Sequence, residues 1–247
     1  MDGSACTKAF YSRGILEQVT GFTLRPGGLD LTREAVDWCR FPKGAKILDI
    51  GCGYGETVHL LRSEYGLNAF GLDAGEEMLQ KARGRYPNLP LLAGRAEKLP
   101  FDTGELDAII MECTFSLLPR PEITLSECHR ALKRDGRLVV SDFYYKNRGG
   151  FRHKEYYEAL FAAHGFKLQL WADKSHYLTQ LLVDCIMGKG DAGILWQCLL
   201  NKEENKGLTS DVLKKYKPGY FLLVAKKSSA VENITELPVN RGGVCNG

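Results

Sequence analysis

Two features could do chemistry: the run Asp49-Ile50-Gly51-Cys52-Gly53-Tyr54-Gly55-Glu56, and Asp73, 22 residues beyond its first glycine. Glycine has no Cβ, so Gly51 and Gly53 allow a sharp turn and a close approach of backbone to ligand. The segment that follows reads as a helix, whose leading amides and positive dipole end face that turn. Such turns serve nucleotide ligands of several kinds, so the neighbours decide. A dinucleotide site calls for Gly-x-Gly-x-x-Gly, with the pyrophosphate on the helix N-terminus. Here the third glycine comes one residue early, and Glu56 stands in its place. Asp49 adds a carboxylate that suits an ammonium-bearing ligand and repels a pyrophosphate.

S-adenosylmethionine carries such an ammonium on its methionine end, so the charge pattern favours it as cofactor over NAD. An NAD-linked oxidoreductase stays the alternative. At the end of a strand, Asp73 can accept both hydroxyls of a ribose. It reads equally as a helix N-cap, since Glu76 and Glu77 follow within one turn.

These residues need a scaffold that brings loop ends together, and the pattern supplies one. Strands are expected at Lys46–Ile50, Asn68–Leu72, Leu89–Leu92, Leu106–Met111 and Arg137–Phe143. Helical stretches through about Glu64, over Glu76–Arg83 and over Ile123–Leu132 separate them. Strictly alternating strands and helices imply a parallel sheet covered on both faces, an α/β Rossmann-like fold. Ligands of such sheets bind at the carboxyl ends of the strands. Upstream, Arg25-Pro26-Gly27-Gly28 is a turn before a helix over Leu31–Arg40. Downstream, helices are expected at His153–His164 and Tyr177–Met187, with further strands at Phe166–Trp171 and Tyr220–Ala225.

Composition narrows the partners. With 33 basic and 30 acidic residues the net charge is only +3, which argues against a dedicated nucleic-acid binder. No stretch reaches the roughly 20 apolar residues of a membrane span, and no signal peptide is read at the N-terminus, so a cytoplasmic location is expected. The eight cysteines contain no Cys-x-x-Cys pair, so no metal site is expected and they read as buried, reduced thiols.

From Ala45 to Tyr145 the chain resembles the class I S-adenosylmethionine-dependent methyltransferases, in the small-molecule subgroup that includes ubiquinone and sterol methyltransferases. The stretches that carry the resemblance are Ile47 to Gly55, Gly71-Leu72-Asp73 with Glu77-Met78-Leu79, Ala96 to Phe101, the strand around Asp107, and Ala131 to Leu138. It implies a seven-stranded Rossmann-like sheet whose last strand inserts antiparallel. It further implies that Asp49, Gly51, Cys52 and Gly53 hold the methionine end and that Asp73, with Ala74 after it, takes the ribose. Met78 would pack on the adenine, although a methionine there also suits an ordinary core. Arg95, Ala96 and Glu97 would flank that ring, and Glu112 and Cys113 would lie beside the sulfonium. The family usually has an acidic residue where Arg95 stands; arginine cannot accept from the adenine amino group. Glu97 or a backbone carbonyl would then serve.

The expected organisation is a lead-in over residues 1–44, a methyltransferase domain over 45–227 with a helical, substrate-covering insertion at 147–215, and a tail over 228–247. The acceptor is expected to be a small molecule. Its wall is expected from Glu112, Cys113, Thr114, Phe115, Asp142, Tyr144 and Tyr145, with His153, Tyr156 and Tyr157 closing over it. No residue is singled out as catalytic. A soft acceptor such as arsenite or a selenium compound is a second reading, resting on convergence of Cys113, Cys185 and Cys198. A regulatory protein that binds the methyl donor without turnover is a third.

Overall fold

A computed structural model describes residues 23, 25–147, 152–189 and 214–228. Within them the chain runs α1 (Gly28–Cys39), β1 (Lys46–Ile50), α2 (Glu56–Ser63), β2 (Asn68–Asp73), α3 (Glu76–Arg85), β3 (Leu91–Ala93) and β4 (Leu106–Glu112). After a 3₁₀ turn at Phe115–Leu117 come α4 (Pro121–Ala131), β5 (Leu132–Tyr145), α5 (Lys154–Ala163), β6 (Phe166–Asp173), α6 (Ser175–Lys189) and β7 (Pro218–Lys227).

The seven strands form one sheet in the order β3-β2-β1-β4-β5-β7-β6. The first five are parallel, while β7 enters antiparallel between β5 and β6. The expected seven-stranded Rossmann-like sheet is therefore present, with β6 lying inside the stretch read as a helical insertion. Central strands are apolar on both faces because both are covered. Ile47, Ala108, Ile110, Val139, Leu222 and Val224 pack under α1, α2, α3 and α6. Leu48, Ile109, Met111, Leu138, Val140 and Leu223 pack under α4 and α5.

One strand differs in length from the expectation. The pattern places the start of this strand at Arg137, yet β5 begins at Leu132. Asp135 takes a left-handed conformation (φ 66°), and the β4–β5 register shifts between Leu106 and Ala108. The irregularity is absorbed within the ladder, so α4 passes directly into β5.

β1 and β4 are neighbours, but the chain leaves them in opposite directions across the sheet. Their carboxyl ends therefore open a crevice that neither crossover fills. Asp49 and Gly51 stand on one lip of it, Glu112 and Cys113 on the other.

Candidate active site

The glycine turn is built by local bonds. Gly51 N (2.7 Å) and Cys52 N (3.2 Å) both donate to Leu72 O, Gly55 N donates to Cys52 O at 2.8 Å, and Gly53 N donates to Asp73 Oδ2 at 2.9 Å. Four amides of the turn are thus already committed, which removes most of the donor row that a pyrophosphate needs. Gly51 has φ 77°, and a Cβ there would fall 2.2 Å from Thr114 Oγ1, so the loop after β4 closes directly on it. Gly53 is different: a Cβ would meet only Met78 Cε, at 3.6 Å. Room for a ligand lies over Gly53. The Cys52 side chain points away into the core against Gly71, and burial, then the charges of Asp49 and Asp73, push its thiol well up. Glu56, standing where a third glycine would be, meets Arg85 Nε at 2.9 Å and accepts from Tyr86 Oη at 3.0 Å, tying the start of α2 to the end of α3.

Asp73 ends β2. Its Oδ2 takes the Gly53 amide and its Oδ1 takes the Gly75 amide at 2.7 Å. The residue preceding α3 is Gly75, with no side-chain cap, so Asp73 braces the turn rather than capping the helix. Each carboxylate oxygen keeps lone-pair capacity for another donor. Ala74 is exposed beside it and Met78 is half-buried.

The segment that follows residues 95–97 is held from α4. Glu127 accepts from Leu99 N at 3.0 Å, while Arg130 donates to Phe101 O at 2.8 Å and Leu99 O at 3.3 Å. Ala96 is buried. The Glu97 side chain is 7% exposed and lies 3.3 Å from Arg95 and 3.6 Å from Arg120. Burial opposes its charge, but the Arg95 hydrogen bond and both arginines outweigh that and lower its pKa. Glu97 is thus a carboxylate where Arg95 is not.

The opposite lip is held from far away in the chain. Glu112 accepts from Thr32 Oγ1 and Thr57 Oγ1, both at 2.9 Å, and pairs with Arg25 at 2.8 Å. Arg25 also donates to the same two hydroxyls, at 2.7 and 2.9 Å. Asp49, 3% exposed, is within electrostatic reach of Glu112 and Arg25. Burial and then the Glu112 charge push its carboxyl well above the usual range, against the pull of Arg25. A buried group so biased gains by meeting a cation.

Cys113 turns the chain out of β4 with φ 53°; its amide donates to Ser141 O at 2.8 Å, and its sulfur lies 3.2 Å from Tyr220 Oη. Tyr220 also reaches Ser141 Oγ, at 3.3 Å. Asp142, wholly buried, accepts from Ser116 N and Phe143 N, both at 2.7 Å, clamping the 3₁₀ turn onto β5.

The expected acceptor wall divides. Thr114 and Phe115 follow Cys113, with Phe115 buried. Tyr157 is also buried, its hydroxyl donating to Phe143 O at 2.9 Å, and Tyr144 packs edge-on against Trp171 and Phe221. Both are core aromatics, Tyr144 in place of the expected wall and Tyr157 in place of the expected cover. Tyr145 and Phe143 face the other layer, beside Tyr220. His153 caps α5, its Nδ1 accepting from Tyr156 N at 3.2 Å. Convergence of Cys113 with Cys185 and Cys198 lies outside the described residues, because neither partner side chain is among them. Sequence reasoning missed Arg25, Thr32, Thr57 and Tyr220. A turn arginine, two helical threonines and a strand tyrosine carry no local mark of such a role.

Residues 48–140 match the family described as a methyltransferase domain. A ubiquinone/menaquinone biosynthesis C-methyltransferase from Campylobacter jejuni is 33% identical over 115 residues, covering 44% of this chain and 49% of that protein. A demethylmenaquinone methyltransferase from Thermotoga maritima is 36% identical over 112 residues, covering 45% and 49%. The chain thus spans about half the length of the curated relatives it matches. A solved structure of geranyl diphosphate C-methyltransferase from Streptomyces coelicolor superposes with TM-score 0.67 at 14% identity, covering 81% of this chain and 79% of that one. The cyclase SpnF superposes with TM-score 0.64 at 20% identity, covering 81% of both. Both share the fold.

Proposed function

We propose that this chain, which belongs to the class I S-adenosylmethionine-dependent methyltransferase superfamily, binds S-adenosylmethionine across the ends of β1, β2 and β4 and methylates a small molecule. One observation carries the reading: two carboxylates, Asp49 and Asp73, flank a glycine turn that is open above Gly53 but whose amides are already bonded. That arrangement suits an ammonium and a ribose and does not suit a pyrophosphate. The residues fit the group in a second respect. Arg25 Nε is buried with no partner among the described residues, and Asp49 is a buried carboxylate biased towards its neutral form, so a zwitterion meets complementary groups at both.

In this reading Asp49 takes the ammonium, and Gly51, Cys52 and Gly53 line the methionine end with backbone. Asp73 takes the ribose, with Ala74 beside it. Met78, Arg95 and Ala96 border the adenine, and Glu97 accepts from its amino group in place of the usual acidic residue. Glu112 and Cys113 border the reacting end. When bound, the cofactor supplies a methyl group activated on a sulfonium. Transfer is an in-line displacement, so the chain's contribution is alignment and exclusion of water. A base is required only for an acceptor that arrives protonated.

The similar C-methyltransferases support a small organic acceptor. No helix among the described residues is long and apolar enough to cross a membrane, and action in the cytoplasm is part of the same proposal. Calorimetric titration with S-adenosylmethionine, S-adenosylhomocysteine and NAD tests the cofactor. Saturable binding of the first two alone is expected, and binding of neither sinks the reading. Release of S-adenosylhomocysteine over a panel of phenols, amines, quinone precursors and arsenite then finds the acceptor. Binding without turnover across the panel supports a regulatory role instead.

A further inference from the structure

Arg25 lies outside the stretch matched by the methyltransferase family, so no family position assigns it a role. It reaches the crevice from the segment that precedes α1. Its guanidinium pairs with Glu112 at the end of β4 and feels the charge of Asp49 at the end of β1, with Cys113 and Tyr220 also within electrostatic reach. It is therefore anchored on the β4 lip of the crevice, where the two strands part. Among the described residues its contacts to Glu112, Thr32 and Thr57 all fall on a single terminal nitrogen. The side chain is 10% exposed, and Nε is buried without a partner among the described residues. A buried N–H left unmade is costly, and a guanidinium edge is shaped to take a carboxylate.

The sign of the charges places the two ends of a zwitterion. Asp49 attracts the ammonium, and Glu112 already neutralises the terminal nitrogen of Arg25, so the open Nε edge is left to meet the ligand's one anionic group, its carboxylate. We infer that Arg25 holds the carboxylate of the methionine moiety of the bound methyl donor, using the Nε edge that the Glu112 pair leaves unsatisfied. The inference rests on the cofactor reading above. It makes the lead-in before α1 part of the cofactor site and gives a physical reason for burying an arginine there. A hydrophobic pair would serve the fold as well as a buried ion pair does.

The test removes the carboxylate from either side. S-adenosylhomocysteine and its decarboxylated analogue, which keeps the amine, are titrated calorimetrically into the parent, Arg25→Gln and Arg25→Lys. Melting temperatures without ligand check that each variant folds. The parent is expected to prefer the carboxylated ligand by about ten- to a hundredfold, the worth of a hydrogen bond to a charged group. Arg25→Gln should lose that preference by binding the carboxylated ligand more weakly and the analogue as before. Arg25→Lys should recover part of it. Weakening of both ligands by one common factor would show that Arg25 acts only through Glu112 and would overturn the inference. Persistence of the preference in Arg25→Gln would overturn it too. Should Arg25→Gln not fold, equal affinity of the parent for the two ligands overturns it alone. A parent that binds neither ligand brings down the cofactor reading itself, a result distinct from each of these.

Discussion

The two lips of the crevice are made in different ways. On the β1–β2 side the polar groups are satisfied close by in the chain: Asp73 takes amides 20 and 2 residues away. On the β4–β5 side Glu112 takes a hydroxyl 80 residues away, Ser141 meets Tyr220 across 79 and Cys113 across 107. The first lip is a turn that nearly assembles itself. The second exists only when α1, α2 and β7 have docked. One consequence is that damage to the second lip should appear as lost stability, while damage to the first can remove ligand and leave the fold intact.

The largest effect is expected at the long-range lip. Arg25→Met should cost about 3–5 kcal/mol in urea denaturation, because it leaves the Glu112 charge buried and unpaired. Replacing both, Arg25→Met with Glu112→Leu, should recover most of it. If the single and double variants are equally unstable, Glu112 is not the reason. Gly51→Ala comes next. A non-glycine residue held left-handed costs roughly 1–2 kcal/mol, and overlap with Thr114 adds to that. Gly53→Ala carries the backbone strain alone, so it should melt above Gly51→Ala while binding S-adenosylhomocysteine poorly.

Asp73→Ala sharpens the contrast from the other side. It should weaken cofactor binding by about 1.5–3 kcal/mol in calorimetry. Unchanged affinity would move the ribose elsewhere. Asp49 adds a pH signature. Its folded pKa is raised by burial and Glu112, so between the unfolded value near 3.9 and the folded one the native state holds the extra proton. Its contribution to stability therefore falls as pH rises through that window. An ammonium bound beside it lowers the folded pKa again, so binding should release a proton and strengthen with pH. Asp49→Asn should abolish both slopes, as melting curves with and without S-adenosylhomocysteine can show. The smallest effect is expected for Tyr220→Phe, about 1 kcal/mol in denaturation for its bonds to Cys113 and Ser141.

Legibility followed the same division. The glycine turn, Asp49 and Asp73 could be read because turn chemistry depends on residue type and short spacing. Strands such as Leu106–Glu112 could be read because burial on both faces leaves a continuous apolar run. Tyr144 reads as part of the wall and Tyr157 as a cover because aromatic residues after a sheet look alike whether they line a pocket or fill a core. Only packing puts Tyr157 wholly inside, against Phe221.

The amino-acid sequence by itself determined the alternating elements, the parallel order of the first five strands and the position of the glycine turn. Periodicity and steric rules act within a few residues. Tertiary structure alone decided that Arg25 pairs with Glu112, that Glu112 is held by Thr32 and Thr57, and that Tyr220 meets Cys113. Those partners are brought together by the docking of whole elements, and the energy of a buried charge or thiol depends on neighbours that local spacing does not encode.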